Sequence, residues 1–203
     1  MTVTLDDTKL KAIADAIRAK NGTTDTYKPS EMADAIYSIV ANDITAIKSL
    51  LELDEEELTE ITIPEGVTKL KSSCFMYFDA LVTVNLPSTL ITLGASAFSG
   101  CNSLKNIVLP SGLIEIHPRV FEDCMSLESI TIPVGVKDLY EYTFGWCYEL
   151  AEVTFEGTPN TMSANLFNQC SKLTTINVPW AEGAVANAPW GATNATINYN
   201  YKG

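Results

Sequence analysis

The sequence has little positive charge and a single histidine, His117. Thirteen Lys and Arg stand against 25 Asp and Glu, which gives a formal net charge of −12. Nucleic acids and anionic membranes attract basic surfaces, and no basic cluster is present, so we predict neither as a partner. The residues found at intervals of 23 from His117 are unrelated to it, namely Lys71, Gly94, Tyr140 and Ser163, so we propose no Ser–His or Cys–His pair. No glycine-rich phosphate loop follows a predicted strand. The sequence therefore predicts a protein that is not an enzyme and uses no cofactor.

Long apolar runs are also missing. No stretch approaches the ~20 residues that a membrane-spanning helix needs, and Met1–Thr4 lacks the basic start and apolar region of a secretion signal. We therefore expect synthesis in the cytoplasm. The cysteines form no CxxC pairs, and the acidic run Asp54–Glu57 lacks the alternating ligands and the glycine of a calcium loop. No metal site is predicted.

What the chain does contain is a repeat of 23 residues. Each copy begins with leucine, at Leu58, Leu81, Leu104, Leu127, Leu150 and Leu173. Position 18 of the complete copies is always phenylalanine: Phe75, Phe98, Phe121, Phe144 and Phe167. Position 21 is Phe78, Cys101, Cys124, Cys147 and Cys170. A fixed period of this length marks a solenoid, because each unit buries its apolar face against the next one. We number the five complete copies, residues 58–172, as coils 1 to 5.

The pattern within a coil predicts its local structure. Positions 1 to 6 alternate apolar and polar residues, as in Leu127–Ile132, which is typical of a strand with one buried face. Proline follows in most coils and ends the strand, because it has no N–H to donate. A second short strand is expected near Leu90–Leu93. The segment around each phenylalanine, such as Ala95–Cys101, spaces its Phe and Cys three apart, which predicts one helical turn.

The cysteine column at position 21 behaves as a set of small buried hydrophobes. Cys74 supports this, because Ala97 and Val120 occupy its position in the next two coils. Stacked coils would also bring successive cysteines within disulfide range. Disulfide bonds therefore stay open as the alternative to reduced, buried thiols.

This pattern resembles the leucine-rich repeats of BspA-like bacterial surface proteins, whose unit reads LxxIxIPxxVxxIgxxAFxxCxx. The resemblance covers Leu58 to about Val178. Coil 5 departs from it, because Glu156 replaces proline and Thr158–Asn160 replaces the second apolar start, so we expect a distorted turn there. The resemblance implies an α/β fold, a leucine-rich repeat solenoid of parallel strands with short helical turns. It also implies an interaction scaffold of a kind found on bacterial surfaces and in phage particles.

Residues 1–42 have a different pattern, which predicts a helical hairpin in front of the solenoid. Asp6–Thr8 can cap a first helix that Asn21–Gly22 ends, and Pro29–Ser30 can open a second. The apolar stripes of these helices contain the residues that we predict to form an assembly surface: Leu10, Ile13, Ile17, Ile36 and Ile39. Two short helices cannot enclose a core. Their stripes therefore need the open end of the solenoid, another protomer or a larger assembly.

Both ends of the chain resemble structural proteins of phages that infect Gram-positive bacteria. The string from Leu10 to Ile36 is similar to a segment at the start of many tail proteins, and the string from Val178 to Tyr201 is similar to their end piece. This resemblance implies a non-enzymatic virion protein, a tail-fibre or receptor-binding component that binds other virion proteins or itself as a homo-oligomer. The alternative is a bacterial leucine-rich repeat protein for adhesion or protein–protein interaction, located in the cytoplasm or at the cell surface.

The remaining segments are predicted to close the solenoid at its two ends. Residues 43–57 form a connector whose apolar residues cover the first coil. Within residues 173–203, a sixth strand comes first, and the residues that we predict to cover the last coil are Trp180, Val185, Pro189 and Trp190. A closing strand is predicted from the alternation of Ile197, Tyr199 and Tyr201. The tryptophans form either this cap or a shelf for a ligand.

Coil 4 carries the most distinctive outward-facing residues. We call four of them the aromatic surface: Tyr140, Tyr142, Trp146 and Tyr148. Coil 2 has small residues at the same positions, namely Gly94, Ser96, Gly100 and Asn102. Aromatic rings with a polar tip suit sugar stacking or a protein hot spot, so we predict a host-surface protein or a glycan as the ligand. The alternative is that the rings pack over Arg119, Met125 and the neighbouring coils.

Deleting residues 1–42 should leave the repeat region folded, because the repeats form a hydrophobic core among themselves. Isolated helices as short as the two predicted here have only marginal stability in water. Circular dichroism should show little loss of β signal. The same deletion should abolish incorporation into a particle, or reduce a homo-oligomer to monomer in light scattering. Changing Ile13 and Ile17 together to Asp should have the same effect, because charge opposes burial. Unfolding of the shortened chain would contradict the prediction and make the segment an intramolecular cap.

Overall fold

The structure is a computed structural model that describes residues 58–63 and 65–202. Over these ranges the chain forms short β-strands joined by turns, and none of the described residues is helical. The helical hairpin predicted for residues 1–42 and the connector 43–57 lie outside the described residues. The first strands of successive coils are β1 Glu60–Thr62, β3 Thr83–Asn85, β5 Asn106–Ile107, β7 Ser129–Ile132, β9 Glu152–Phe155, β11 Thr175–Asn177 and β12 Thr196–Asn198. The second strands are β2 Lys69–Leu70, β4 Thr92–Leu93, β6 Glu115–Ile116, β8 Asp138–Leu139 and β10 Thr161–Met162.

Every strand pair is parallel, and all pairs except β11–β12, whose partners such as Thr175 and Thr196 are 21 residues apart, keep the 23-residue register of the repeat. Glu60 pairs with Thr83, and Ser129 pairs with Glu152, in each case 23 residues along the chain. The first strands form two sheets with the strand orders β1-β3-β5 and β12-β11-β9-β7. The second strands form two more sheets, with the orders β2-β4-β6 and β10-β8. The predicted solenoid of parallel strands is therefore confirmed, with about six coils.

Both ladders are interrupted at the same place, between coils 3 and 4. β5 does not pair with β7, and β6 does not pair with β8. The two coils are held there by their turn segments, where the Phe121 N–H donates to the Thr143 carbonyl oxygen over 2.9 Å. The Glu128 N–H also donates to the Lys105 oxygen over 3.0 Å, so coils 3 and 4 are bonded just before β7 as well as through their turn segments.

The core follows the column of phenylalanines. Neighbouring rings in this column stack nearly parallel, with centroids 5.3 Å apart for Phe75–Phe98 and 5.6 Å for Phe121–Phe144. The leucine that begins each coil is buried as well. Since each ring touches the equivalent ring of the next coil, the core is one continuous stack, and no coil completes it alone.

The helical turns that we predicted around each phenylalanine are wrong for the described residues. In Ala95–Cys101 the N–H groups alternate: Ser99 donates to Ser96 of its own coil over 3.2 Å, and Phe98 donates to Val120 of the next coil over 2.9 Å. Ser96 and Gly100 have φ of 56° and 76°. A left-handed residue at every fourth position breaks a helix. The three-residue spacing of Phe98 and Cys101 reflects a 3.2 Å turn bond between them rather than a helical face.

Coil 5 keeps its second strand despite the departures in its sequence. β10 pairs with β8 in the ordinary register. Pro159 is buried at the position that Leu90 and Leu113 hold in other coils. Gly157 has no room for a side chain, because a Cβ there would lie 2.8 Å from the backbone of Val134. The substituted segment therefore fits through one proline and one glycine.

The carboxyl-terminal end confirms the predicted cap in most respects. A closing strand is present as β12, with Ile197 packed against the core, but it ends at Asn198, so Tyr199 and Tyr201 of the predicted alternation lie outside it. Trp180 and Trp190 are buried and meet edge-on at 6.2 Å, so they form a cap and not an open shelf. Pro189, which we predicted to cover the last coil, is exposed, whereas the next residue, Trp190, is buried.

The cysteines are buried free thiols, as the first of our two alternatives predicted. Each thiol of the column donates to the phenylalanine carbonyl of the preceding coil, as for Cys124 and the Phe98 oxygen at 3.2 Å. Burial raises the pKa of the Cys101 thiol to about 12 and that of the Cys124 thiol well above its ordinary value. Thiolate formation near neutral pH is therefore opposed by desolvation.

In native protein the four cysteines of the column should react slowly with a thiol reagent near pH 8, because the thiolate is the reactive form and its formation is opposed. Denatured protein should react rapidly. Cys124→Ala should cost about 1 kcal/mol of unfolding free energy, since the Phe98 oxygen keeps the N–H of Cys101 as a donor. Cys124→Asp should cost far more, because it buries an unpaired carboxyl group. Fast native labelling of all four would show that the column is not core.

Candidate functional site

The aromatic surface lies on the turn segment that follows β8 in coil 4. Tyr140 and Tyr148, near its two ends, are 42% and 39% exposed. Tyr142 and Trp146 are half-buried. The described structure thus places all four predicted residues on one turn segment. Their proposed binding role stays a prediction.

Tyr142 and Trp146 stand where the backbone is left-handed, with φ of 55° and 58°. That conformation costs a bulky L-residue about 1–2 kcal/mol. Coil 2 fills the same two positions with the small residues Ser96 and Gly100, whereas coil 1 has one ring there, Tyr77, and coil 4 has two. Coil 4 therefore retains two large rings at positions where small residues would lower the energy, which is frequent where a side chain has a function.

Tyr142 is the centre of a stack of three side chains. Its ring centroid lies 5.3 Å from that of Trp146, with the planes 30° apart. The Arg119 guanidinium carbon of coil 3 lies 4.7 Å from the Tyr142 ring centroid. A guanidinium at this distance is attracted to the ring electrons. The predicted packing over Arg119 is therefore confirmed for Tyr142, and the stack orients the rings while leaving part of them exposed.

Arg119 is held in this stack by carboxylates. Its Nη1 donates to Oε1 of Glu122, and its Nη2 lies 4.0 Å from Oε1 of Glu141. Burial raises the pKa of the Glu122 carboxyl, and the positive charge of Arg119 offsets part of that rise. Sequence reasoning did not include these carboxylates in the site. The sequence does distinguish them, because the positions of Glu122 and Glu141 are occupied in coil 2 by the uncharged residues Ser99 and Ala95.

Tyr140 forms a second, smaller stack beside the first. Its ring lies 6.2 Å from the His117 ring at 12° between planes, and His117 Nε2 lies 3.5 Å from Oε2 of Glu115. On the coil 5 side the matching residue is Ser163, whose N–H donates to the Leu139 oxygen over 3.0 Å. Tyr140 therefore stacks on the aromatic ring of His117 on its coil 3 side, and the equivalent residue on its coil 5 side is a small serine.

The other predicted sites have different outcomes. The assembly residues Leu10, Ile13, Ile17, Ile36 and Ile39 lie outside the described residues. Among the residues that are described, no cluster of His, Cys, Asp and Glu has the composition to hold a metal ion. A search of the same residues finds no helix with the length and hydropathy to cross a membrane.

Solved structures of bacterial proteins resemble the chain. A leucine rich cell surface protein from Faecalibacterium prausnitzii is 26% identical with a TM-score of 0.58, and the match covers 61% of this chain and 33% of that one. The leucine rich repeat protein of T. pallidum is 26% identical with a TM-score of 0.57, covering 73% and 72%. The pneumococcal vaccine antigen PcpA, 16% identical with a TM-score of 0.50 over 69% and 41%, shares the fold alone.

This chain spans about a third of the length of the F. prausnitzii protein. No curated protein matches it. The family described as BspA type leucine rich repeat region matches residues 69–184 in six copies, which is more than half of the chain. The match includes the coils whose register, phenylalanine column and turn bonding are described above. The chain belongs to the BspA type leucine rich repeat family.

Proposed function

We propose that the protein is a non-catalytic bacterial interaction scaffold that binds a protein or a glycan through the aromatic surface of coil 4. The observation that carries the proposal is local. Besides the phenylalanine of the core, coil 4 alone of the five coils places four aromatic residues on its turn segment, and two of them stand at left-handed positions. Rings that served packing alone would be expected in several coils, because the coils share one backbone.

The solenoid is suited to such a role. Each coil is fixed to its neighbours by backbone hydrogen bonds and by the phenylalanine stack, so its outward side chains are displayed at fixed points. A rigid scaffold lowers the entropy that binding must overcome. The aromatic surface is further organised before binding, because Arg119 and Trp146 already contact Tyr142.

The comparisons support the bacterial alternative better than the virion role. The family match and two of the compared structures concern bacterial leucine-rich repeat proteins, and one of these two is called a cell surface protein. None of them supports the phage resemblance of the two ends or a place in a virion. We therefore propose adhesion or protein–protein interaction, with the cell surface as the site of action.

The test is binding of the full chain to an array of purified extracellular proteins and oligosaccharides. The double variant Tyr142→Ser and Trp146→Gly gives coil 4 the small residue types that coil 2 uses at the same positions with positive φ. Binding should fall by about tenfold or more, because central aromatic residues dominate interface energies. The melting temperature should change by less than about 4 °C, because relief of the left-handed backbone offsets lost packing.

The control is Tyr77→Gly. Tyr77 occupies in coil 1 the position that Trp146 occupies in coil 4, its ring is exposed, and its φ is also positive. The substitution should leave array binding unchanged. Equal binding by the double variant and the wild type, with the fold intact, would show that recognition occurs elsewhere. A large fall in melting temperature without loss of binding would make the rings packing residues.

A further inference from the structure

Acidic residues are concentrated in the same two coils as the aromatic surface. The turn segments of coils 3 and 4 contain four carboxylates against one arginine: Glu122, Asp123, Glu141 and Glu149 against Arg119. Coil 2 has four small, uncharged residues at the same positions: Ser99, Gly100, Ala95 and Ser103. Negative charge on this face is therefore a local property and not only a consequence of the net charge of −12.

Arg119 shows how this face holds a cation. Its guanidinium lies over the Tyr142 ring at 4.7 Å and is paired with Glu122. The combination of a ring face and a carboxylate is the arrangement that binds the side chains of arginine and lysine. One such pair is occupied by the chain itself. The neighbouring pair is Trp146 with Asp123.

Asp123 and Trp146 occupy the same position in adjacent coils. The Asp123 N–H donates to the Gly145 oxygen over 2.9 Å, which brings the two residues side by side, and both have φ of 58°. Among the described residues Asp123 has no ion-pair partner, whereas Glu149 is paired with Lys172. Partial burial raises the pKa of the Asp123 carboxyl, with no nearby cation to oppose the rise.

We propose that the aromatic surface recognises a basic segment of a partner protein, with a lysine or arginine side chain placed against Trp146 and paired with Asp123. This inference rests on the proposed function and names the class of partner. Charge complementarity favours a basic protein over a glycan, since a cationic side chain gains an ion pair with Asp123, a neutral sugar gains only hydrogen bonds from its hydroxyl groups, and an acidic sugar is repelled.

The experiment uses the full chain and an acetylated peptide of alternating arginine and glycine, with a glutamine–glycine peptide as the reference probe. Binding is measured by calorimetry at about 0.15 M salt, where the Debye length of roughly 8 Å suppresses long-range attraction. Asp123→Asn and Trp146→Gly should each weaken binding of the arginine peptide by about fivefold or more. Asparagine tolerates the left-handed backbone, so Asp123→Asn should stay folded.

The matched control is Glu128→Gln, which removes one exposed carboxylate from coil 4 outside the turn segment. It should leave binding nearly unchanged. An equal loss in Glu128→Gln and Asp123→Asn would reduce the effect to general attraction to an acidic chain and overturn the proposal. Equal affinity for the two peptides would also overturn it.

Two further outcomes separate this inference from the proposed function. Array binding that needs Trp146 but is indifferent to Asp123→Asn, with a neutral oligosaccharide as the bound probe, would overturn the basic partner and retain the scaffold role. Array binding that survives the loss of Trp146 and Tyr142 would overturn the role of this surface altogether.

Discussion

Stacking of successive coils in one register is the constraint on which the rest of the structure depends. Equivalent residues 23 apart pair along both strand ladders, and equivalent phenylalanines stack at 5.3–5.8 Å. A shift by one residue would turn every inward side chain outward. Inward positions are therefore held to a few residue types, such as Phe98 and Phe121 in one column and Cys101 and Cys124 in another.

Outward positions are free of that constraint, and there coil 4 differs from its neighbours. The backbone supplies left-handed positions on the turn segment, and coil 2 fills two of them with Ser96 and Gly100. Coil 4 fills the same two with Tyr142 and Trp146. The scaffold and the candidate site are thus separable. The residue types at these positions differ between coils, whereas equivalent turn hydrogen bonds, such as Gly100 to Glu122 and Asp123 to Gly145, are kept.

The wrong helical turns and the overlooked carboxylates have a common cause. A three-residue spacing of Phe and Cys is produced equally by one helical turn and by a turn bond, and the spacing alone does not distinguish them. The bond from Phe98 to Val120 belongs to the stack, since its partner is on the next coil. In the same way, Glu122 and Glu141 acquire meaning only when Arg119 is seen between them.

The sequence by itself determined the solenoid, its register, the phenylalanine and cysteine columns and the coil that carries the aromatic residues. It could do so because those properties are periodic, and a period is visible in one dimension. Only the tertiary structure decided the left-handed turns, the break in both ladders between coils 3 and 4, and the contact of Arg119 with Tyr142. These depend on distances between coils, because backbone donors and side-chain charges in one coil find their partners in the next.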